Sequence, residues 1–182
     1  MLLIKFFLRK VLVKANSFSL RFRLIFLGSW ISLESKVNIL PGGKIKIGKG
    51  VRIAKNSVIS VLPGAKLEIN DNSLIGHGVT IYCSKSIIVG KNCRIAHYCS
   101  IIDHDYEVNS KTINVPWGDK SKISKRIFIA DNVWLGAHVV ILKGVSIGKN
   151  CIIGASALVS VSIKENLKAY SSSASKLKLK KL

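Results

Sequence analysis

His104 stands between two carboxylates, Asp103-His104-Asp105, in a polar stretch of an otherwise apolar chain. An imidazole titrates close to neutrality, and an adjacent carboxylate can orient the ring and support its charged form. The triplet therefore has what a general base needs, the task being to take a proton from a hydroxyl or amine nucleophile. Of the four histidines only His104 is flanked in this way. His97, in Ile95-Ala-His-Tyr, is the reserve candidate. The set His77, His97, His104 and His138 lacks the spacing of a three-histidine zinc site, so no metal is expected. Cys83, Cys93, Cys99 and Cys151 include no Cys-x-x-Cys pair, and Cys93, Cys99 and Cys151 are expected to pack as small buried hydrophobes.

Positioning such a base requires a rigid frame, and the sequence supplies one in units of six. Downstream these read Ile129-Ala-Asp-Asn-Val-Trp, Leu135-Gly-Ala-His-Val-Val, Ile141-Leu-Lys-Gly-Val-Ser, Ile147-Gly-Lys-Asn-Cys-Ile and Ile153-Gly-Ala-Ser-Ala-Leu. Upstream, Ile47-Gly-Lys-Gly-Val-Arg, Ile75-Gly-His-Gly-Val-Thr and Val89-Gly-Lys-Asn-Cys-Arg follow the same rule. An aliphatic residue opens each unit, a small one usually follows, and the fifth place is small or β-branched. A unit this short cannot bury its own apolar face and must stack on its neighbours, so the period predicts a solenoid.

Read as a short strand plus a corner, three units close one triangular coil, and eighteen residues return the chain beneath itself. Pairs such as Lys91-Asn92, Asp131-Asn132 and Lys149-Asn150 suit the corners, because Asn tolerates left-handed backbone angles. The register slips at Leu62-Pro-Gly-Ala and Cys83-Ser-Lys-Ser, as it does where a corner bulges. After Ile101 it stops, to resume at Ile127, leaving residues 102–126 as a long polar excursion that carries the Asp103-His104-Asp105 triplet. A long excursion from a rigid frame is where function tends to sit.

The run from Ile129 to Val159 resembles the signature of the hexapeptide-repeat acyltransferases, in particular the sugar and polysaccharide O-acetyltransferase branch, similar to galactoside and maltose acetyltransferases. The resemblance covers about two-thirds of the chain. It implies an all-β, left-handed parallel β-helix, with acetyl-CoA as acyl donor, a sugar or glycan as acceptor, and a homotrimer whose sites lie between subunits. His104 is then the general base, with Asp103 and Asp105 beside it. Trp134, Gly136 and Ala137 match the family's Val-Trp-Ile-Gly-Ser/Ala element, where the amide at the Ala137 position acts as oxyanion donor. Ala155, Ser156 and Ser160 match positions lining the pantetheine groove, and Lys164, Lys176 or Lys178 is left to meet the CoA phosphates. The chain also departs from the pattern. Tyr106 stands where the galactoside-acetyltransferase-like enzymes carry their catalytic histidine, Ser160-Val161-Ser162 replaces Thr-Lys-Asp, and Ser171-Ser-Ser-Ala-Ser-Lys replaces a closing Gly-x-Pro-Ala-Lys.

With 182 residues and 48% hydrophobic composition, the chain is expected to build one main domain. Three segments are expected: a basic, aromatic helical segment over 1–34, the β-helix over 35–163 with its excursion, and a basic C-terminal tail over 164–182. The formal net charge of +20 implies an anionic partner. No zinc-finger, RNP-like or helix-turn-helix pattern accompanies it, so nucleic acid is not expected. The first segment fits either a helix packed on the open end of the solenoid or an anchor on an anionic membrane surface. No apolar run approaches the roughly 20 residues of a membrane span, and Lys5, Arg9 and Lys10 interrupt any signal-peptide core. A cytoplasmic location is expected, peripheral at the inner membrane if the anchor reading holds. The expected activity is acetyl transfer to a sugar hydroxyl of a surface polysaccharide or its lipid-linked precursor. Amino-sugar N-acetylation on the same fold remains open, as does a non-catalytic solenoid, motivated by Tyr106 and the altered C-terminus.

Overall fold

Ile53, Ile75, Ile95, Leu135 and Ile153, each first in its unit, lie in register beside one another in a parallel sheet. Ile59, Ile81, Ile101, Ile141 and Val159 do the same in a second sheet, and Ile69, Val89, Ile129 and Ile147 in a third. These sheets are the three walls of a left-handed parallel β-helix, and the residues just named fill its interior. All are at most 1% exposed. Each such side chain fully removed from water contributes about 1.5–3 kcal/mol. The computed structural model describes residues 30–31, 36–39, 43–108, 111, 113–116, 121–171 and 177–181.

Corner chemistry matches the repeat. Asn72, Asn92, Asn132, Asn150 and Asn166 hold φ values of 55° to 59° at the corner between the third and first walls. Their short amides bond along the axis, from Asn132 Nδ2 to Asn150 Oδ1 at 3.2 Å and from Asn150 Nδ2 to Asn166 Oδ1 at 2.9 Å. The fifth place does more than pack. Ser57 and Ser73 donate their hydroxyls to the carbonyls of Gly76 and Gly90. The thiols of Cys93, Cys99 and Cys151 reach the carbonyls of Ala130, Gly136 and Lys164, each at 3.1 Å. A small buried residue with a weak donor thus satisfies an inward carbonyl of the next coil. At Gly136 an added Cβ would come within 2.6 Å of the Ala155 nitrogen in the coil beneath, which explains a small second place.

The coil tapers along its axis. It advances 22 residues between Lys49 and Asp71, 20 between Ser73 and Cys93, 18 between Asn132 and Asn150, and 16 between Asn150 and Asn166. The expected eighteen-residue coil therefore describes only part of the solenoid. Upstream, the second and third walls use four-residue strands such as Val58–Val61, Lys66–Ile69, Thr80–Cys83 and Ser86–Val89. The slips at Leu62 and Cys83 are the joints between these longer strands.

The first wall reaches beyond residues 35–163 at both ends. Trp30–Ile31 pairs with Arg52–Ile53. Leu167–Ser171 pairs with Ile152–Ile153, and Leu177–Lys181 then returns antiparallel against it. Part of the segment expected as a basic tail therefore ends the wall as a two-stranded ribbon. Apart from Trp30–Ile31, which is strand, the helical segment expected over 1–34 falls outside the described residues.

Candidate active site

The excursion leaves the corner between the second and third walls and at once forms an antiparallel pair. Strand His104–Tyr106 lies against Lys122–Ser124, with His104 opposite Ser124 and Tyr106 opposite Lys122. Strand alternation places His104, Tyr106 and Lys122 on one face and Asp105 on the other. Asp103 roots the pair. It is completely buried, and its carboxylate accepts the backbone N–H groups of Ser84 at 2.7 Å and of Lys85 and Ser86 at 2.8 Å each. Its own carbonyl accepts the N–H of Lys125 at 2.9 Å. One buried side chain thus closes the corner of the preceding coil and fixes where the excursion begins and ends.

His104 Nδ1 lies 3.5 Å from Asp103 Oδ1, within range of charge attraction. Nδ1 is buried and has no hydrogen-bond partner among the described residues. The ring retains 16% side-chain exposure, and with Nδ1 enclosed, Nε2 is the nitrogen left to meet a ligand. The ring borders a cleft of about 320 Å³ whose other walls include Ser60, Tyr82, Ser84, Tyr106 and Lys122. Tyr82 and Tyr106 stand edge-on to the imidazole, with centroids at 6.4 and 6.3 Å. Cys83 also borders the cleft; burial, and then the Asp103 charge, push its thiol up to about 12, so it is no nucleophile at neutral pH.

Asp105 does not join this group. It points to the opposite face, where it accepts a hydrogen bond from Lys143 Nζ at 3.1 Å and one from the Tyr106 N–H at 2.8 Å. The Lys143 bond, reinforced by the Tyr106 amide, holds its carboxyl below the ordinary 3.8. Its visible work is to fasten the excursion to the corner below.

The residues expected to meet the acyl donor are spread around the coil. Trp134 projects from the first wall with 53% exposure, between Arg94 and Ile152. Gly136, Ala137, Ala155 and Ser156 follow at the corner joining the first wall to the second. Down this corner the side chains shrink, from Lys55, His77 and His97 to Ala137 and Ala155. Since the upper coils carry long side chains at that place, the alanines leave a shelf that the fold itself does not require. Ala137 donates no N–H bond among the described residues, although its carbonyl accepts the Ser156 N–H at 2.8 Å. Ser160 lies at the corner below the excursion, and exposed Lys164 at the third corner; Lys176 is outside the described residues. Within one chain, His104 and the Ala137 shelf therefore flank opposite edges of the second wall.

His97 is exposed on the Ala137 corner and away from the His104 cleft. It joins a ring cluster with His77, Tyr98 and His138, in which Tyr98 and His138 stack at 5.2 Å. Tyr82, Ser84 and Lys122, which sequence reasoning passed over, meet His104 only through the stacking of coils and the closure of the excursion. The one available signal was Tyr106, two residues beyond His104 and so on the same face of a strand.

Two family models match the chain: bacterial transferase hexapeptide (six repeats) over residues 126–160, and hexapeptide repeat of succinyl-transferase over residues 66–96. A galactoside O-acetyltransferase of Lactococcus lactis is 48% identical over 50 residues, covering 28% of this chain and 24% of its own length. A putative lipopolysaccharide biosynthesis O-acetyl transferase of Escherichia coli is 30% identical over 102 residues, covering 53% and 52%. The chain thus spans between about a quarter and a half of the length of these curated relatives. An N-acyltransferase from Bacillus cereus, solved with dTDP and 3-hydroxybutyryl-CoA, superposes with a TM-score of 0.71 at 21% identity, covering 85% of this chain and 79% of that one. At that identity the match speaks for the fold.

Proposed function

Because the chain belongs to the hexapeptide-repeat acyltransferase family, we propose that it transfers an acetyl group from acetyl-CoA to a hydroxyl of a sugar in a surface polysaccharide or its lipid-linked precursor. The observation that carries this reading is the buried Asp103, tied to three backbone amides, holding His104 at the mouth of a cleft. His104 Nε2 takes the proton of the acceptor hydroxyl as its oxygen attacks the thioester carbonyl. The Asp103 carboxylate offsets the imidazolium charge that forms. The Ala137 N–H, which has no acceptor among the described residues, donates to the oxyanion of the tetrahedral intermediate. When that intermediate collapses, the C–S bond breaks and His104 returns the proton to the departing CoA sulfur.

Since His104 and the Ala137 shelf flank opposite edges of one wall, the reading requires a second copy to bring its shelf to this cleft, as a homotrimer does. Trp134, Gly136, Ala155 and Ser156 then line the donor groove, with Ser160 and Lys164 as flanking contacts. The site would work at a cytoplasmic face where acyl-CoA is present. An amino-sugar acceptor could use the same base and donor. The hydroxyl reading is supported by the described lining of the cleft, which includes Lys122 and no carboxylate that would hold an ammonium group.

Thiol release from acetyl-CoA over a panel of sugars and lipid-linked glycans tests the proposal. His104→Ala is expected to lose about 100-fold or more in kcat. Unchanged turnover would remove His104 as the base. Mild base cleaves an ester product and leaves an amide intact, which separates O- from N-transfer. Failure to bind acetyl-CoA would favour a non-catalytic solenoid.

A further inference from the structure

We infer that the acceptor carries an acidic group, a carboxylate or a phosphate, which Lys122 binds at the edge of the His104 cleft. This rests on the reading that the cleft takes the acceptor. Among the described side chains lining the cleft, Lys122 is the one lysine or arginine, and none is a carboxylate. Its position is set by the backbone, directly opposite Tyr106 in the antiparallel pair, and its ammonium lies over the Tyr106 ring at 5.7 Å. Some lysines on the walls and corners have carboxylate partners, Lys66 with Glu68, Lys91 with Asp71, Lys143 with Asp105 and Lys149 with Glu165. Others, such as Lys44, Lys85 and Lys125, have no carboxylate partner among the described residues, and neither has Lys122, which differs from these in lining the cleft.

The two carboxylates nearest in sequence to His104 are both occupied. Asp103 is enclosed by the Ser84, Lys85 and Ser86 amides, and Asp105 faces Lys143 on the other side of the strand. A ring contact is the weaker attraction for an ammonium, and a charge-assisted bond to an anionic oxygen would replace it. Ser84 supplies a second sign of a polar ligand. Its hydroxyl is buried at the cleft and has no hydrogen-bond partner among the described residues. A sugar ring lying against Tyr82 could bond Ser84 through a hydroxyl while extending its acidic group to Lys122.

Paired acceptors matched apart from the acid test this: a glucuronic-acid-terminated disaccharide against its glucose-terminated counterpart, and N-acetylglucosamine 1-phosphate against N-acetylglucosamine. Each would be followed both as thiol release from acetyl-CoA and as acceptor binding by saturation-transfer NMR. In at least one pair the charged member should lead by about tenfold or more in kcat/KM and in binding. Which pair shows the preference tells a sugar carboxylate from a carrier phosphate. The ratio should fall to near unity in Lys122→Met and be kept in Lys122→Arg. Equal use of both members by wild type, survival of the ratio in Lys122→Met, or binding of none of the probes would overturn the inference. Thiol release with equal ratios would remove the inference and leave the transferase reading standing. A Lys122-dependent preference in binding without thiol release would do the reverse.

Discussion

Three backbone amides converge on the carboxylate of Asp103, and the same carboxylate stands beside the imidazole of His104. Replacing it with Asn separates the two roles poorly, and that is informative. An amide has one accepting oxygen, so either the Ser84 N–H or the N–H pair of Lys85 and Ser86 would face an NH2 group and lose its partner. Leaving a buried donor unpaired costs about 1–3 kcal/mol, and the charge beside the imidazole goes as well. Asp103→Asn should therefore lower Tm and cut kcat by about 100-fold while leaving the KM for acetyl-CoA nearly unchanged. A parallel rise in that KM would mean that Asp103 acts on the frame alone. In the sequence, Asp103 and Asp105 look equivalent about His104. Asp103 lies just before the strand and turns into the core at the corner, whereas Asp105, inside the strand, faces Lys143, and no local feature announces where the strand begins. Lys122 was hidden for a related reason: closure of the excursion, and no spacing visible in the chain, sets it opposite Tyr106.

Elements were easier to read than side-chain partners, because the corner residues carry their own conformational preference. Asn150 sits at φ 57°, bonded to Asn132 above and Asn166 below. Ala in a left-handed conformation costs about 1–2 kcal/mol, whereas Gly tolerates it. Asn150→Ala should therefore destabilise the protein by about 1–2 kcal/mol in denaturant titration, and Asn150→Gly by clearly less, through the exposed amide bonds alone. Equal losses in the two variants would mean that the axial amide ladder outweighs the backbone term. The same left-handed place is occupied by Tyr98, His138 and Ser156, at φ 57° to 60°. Those residue types do not declare the corner, which is why the His77–Tyr98–His138 cluster was not foreseen. The coil length was legible only where six-residue units run without a slip. Upstream, the longer strands of the second and third walls preserve the inward alternation, so the aliphatic pattern looks regular while the circumference grows.

At the scale of the whole molecule, the second wall separates the His104 cleft from the Ala137 shelf, and both sit where an adjoining copy could reach them. The exposed apolar side chains Tyr82 and Leu158 on that wall, at 41% and 53%, give a second copy something to cover. If each site takes its base from one subunit and its shelf from the next, two variants disabled in different halves should repair each other. His104→Ala removes the base. Ala137→Lys fills the shelf with a side chain that the fold accepts at the same place in Lys55, so it should fold normally and lose donor binding. Each alone is expected to be inactive. In a cyclic trimer reassembled from equal amounts, about a quarter of the sites would combine an intact base with an intact shelf, and about that fraction of wild-type thiol release should return. Co-refolding the two variants and assaying the mixture measures it directly. No recovery, with mixed trimers demonstrated by mass, would place base and shelf in the same subunit and overturn the shared site.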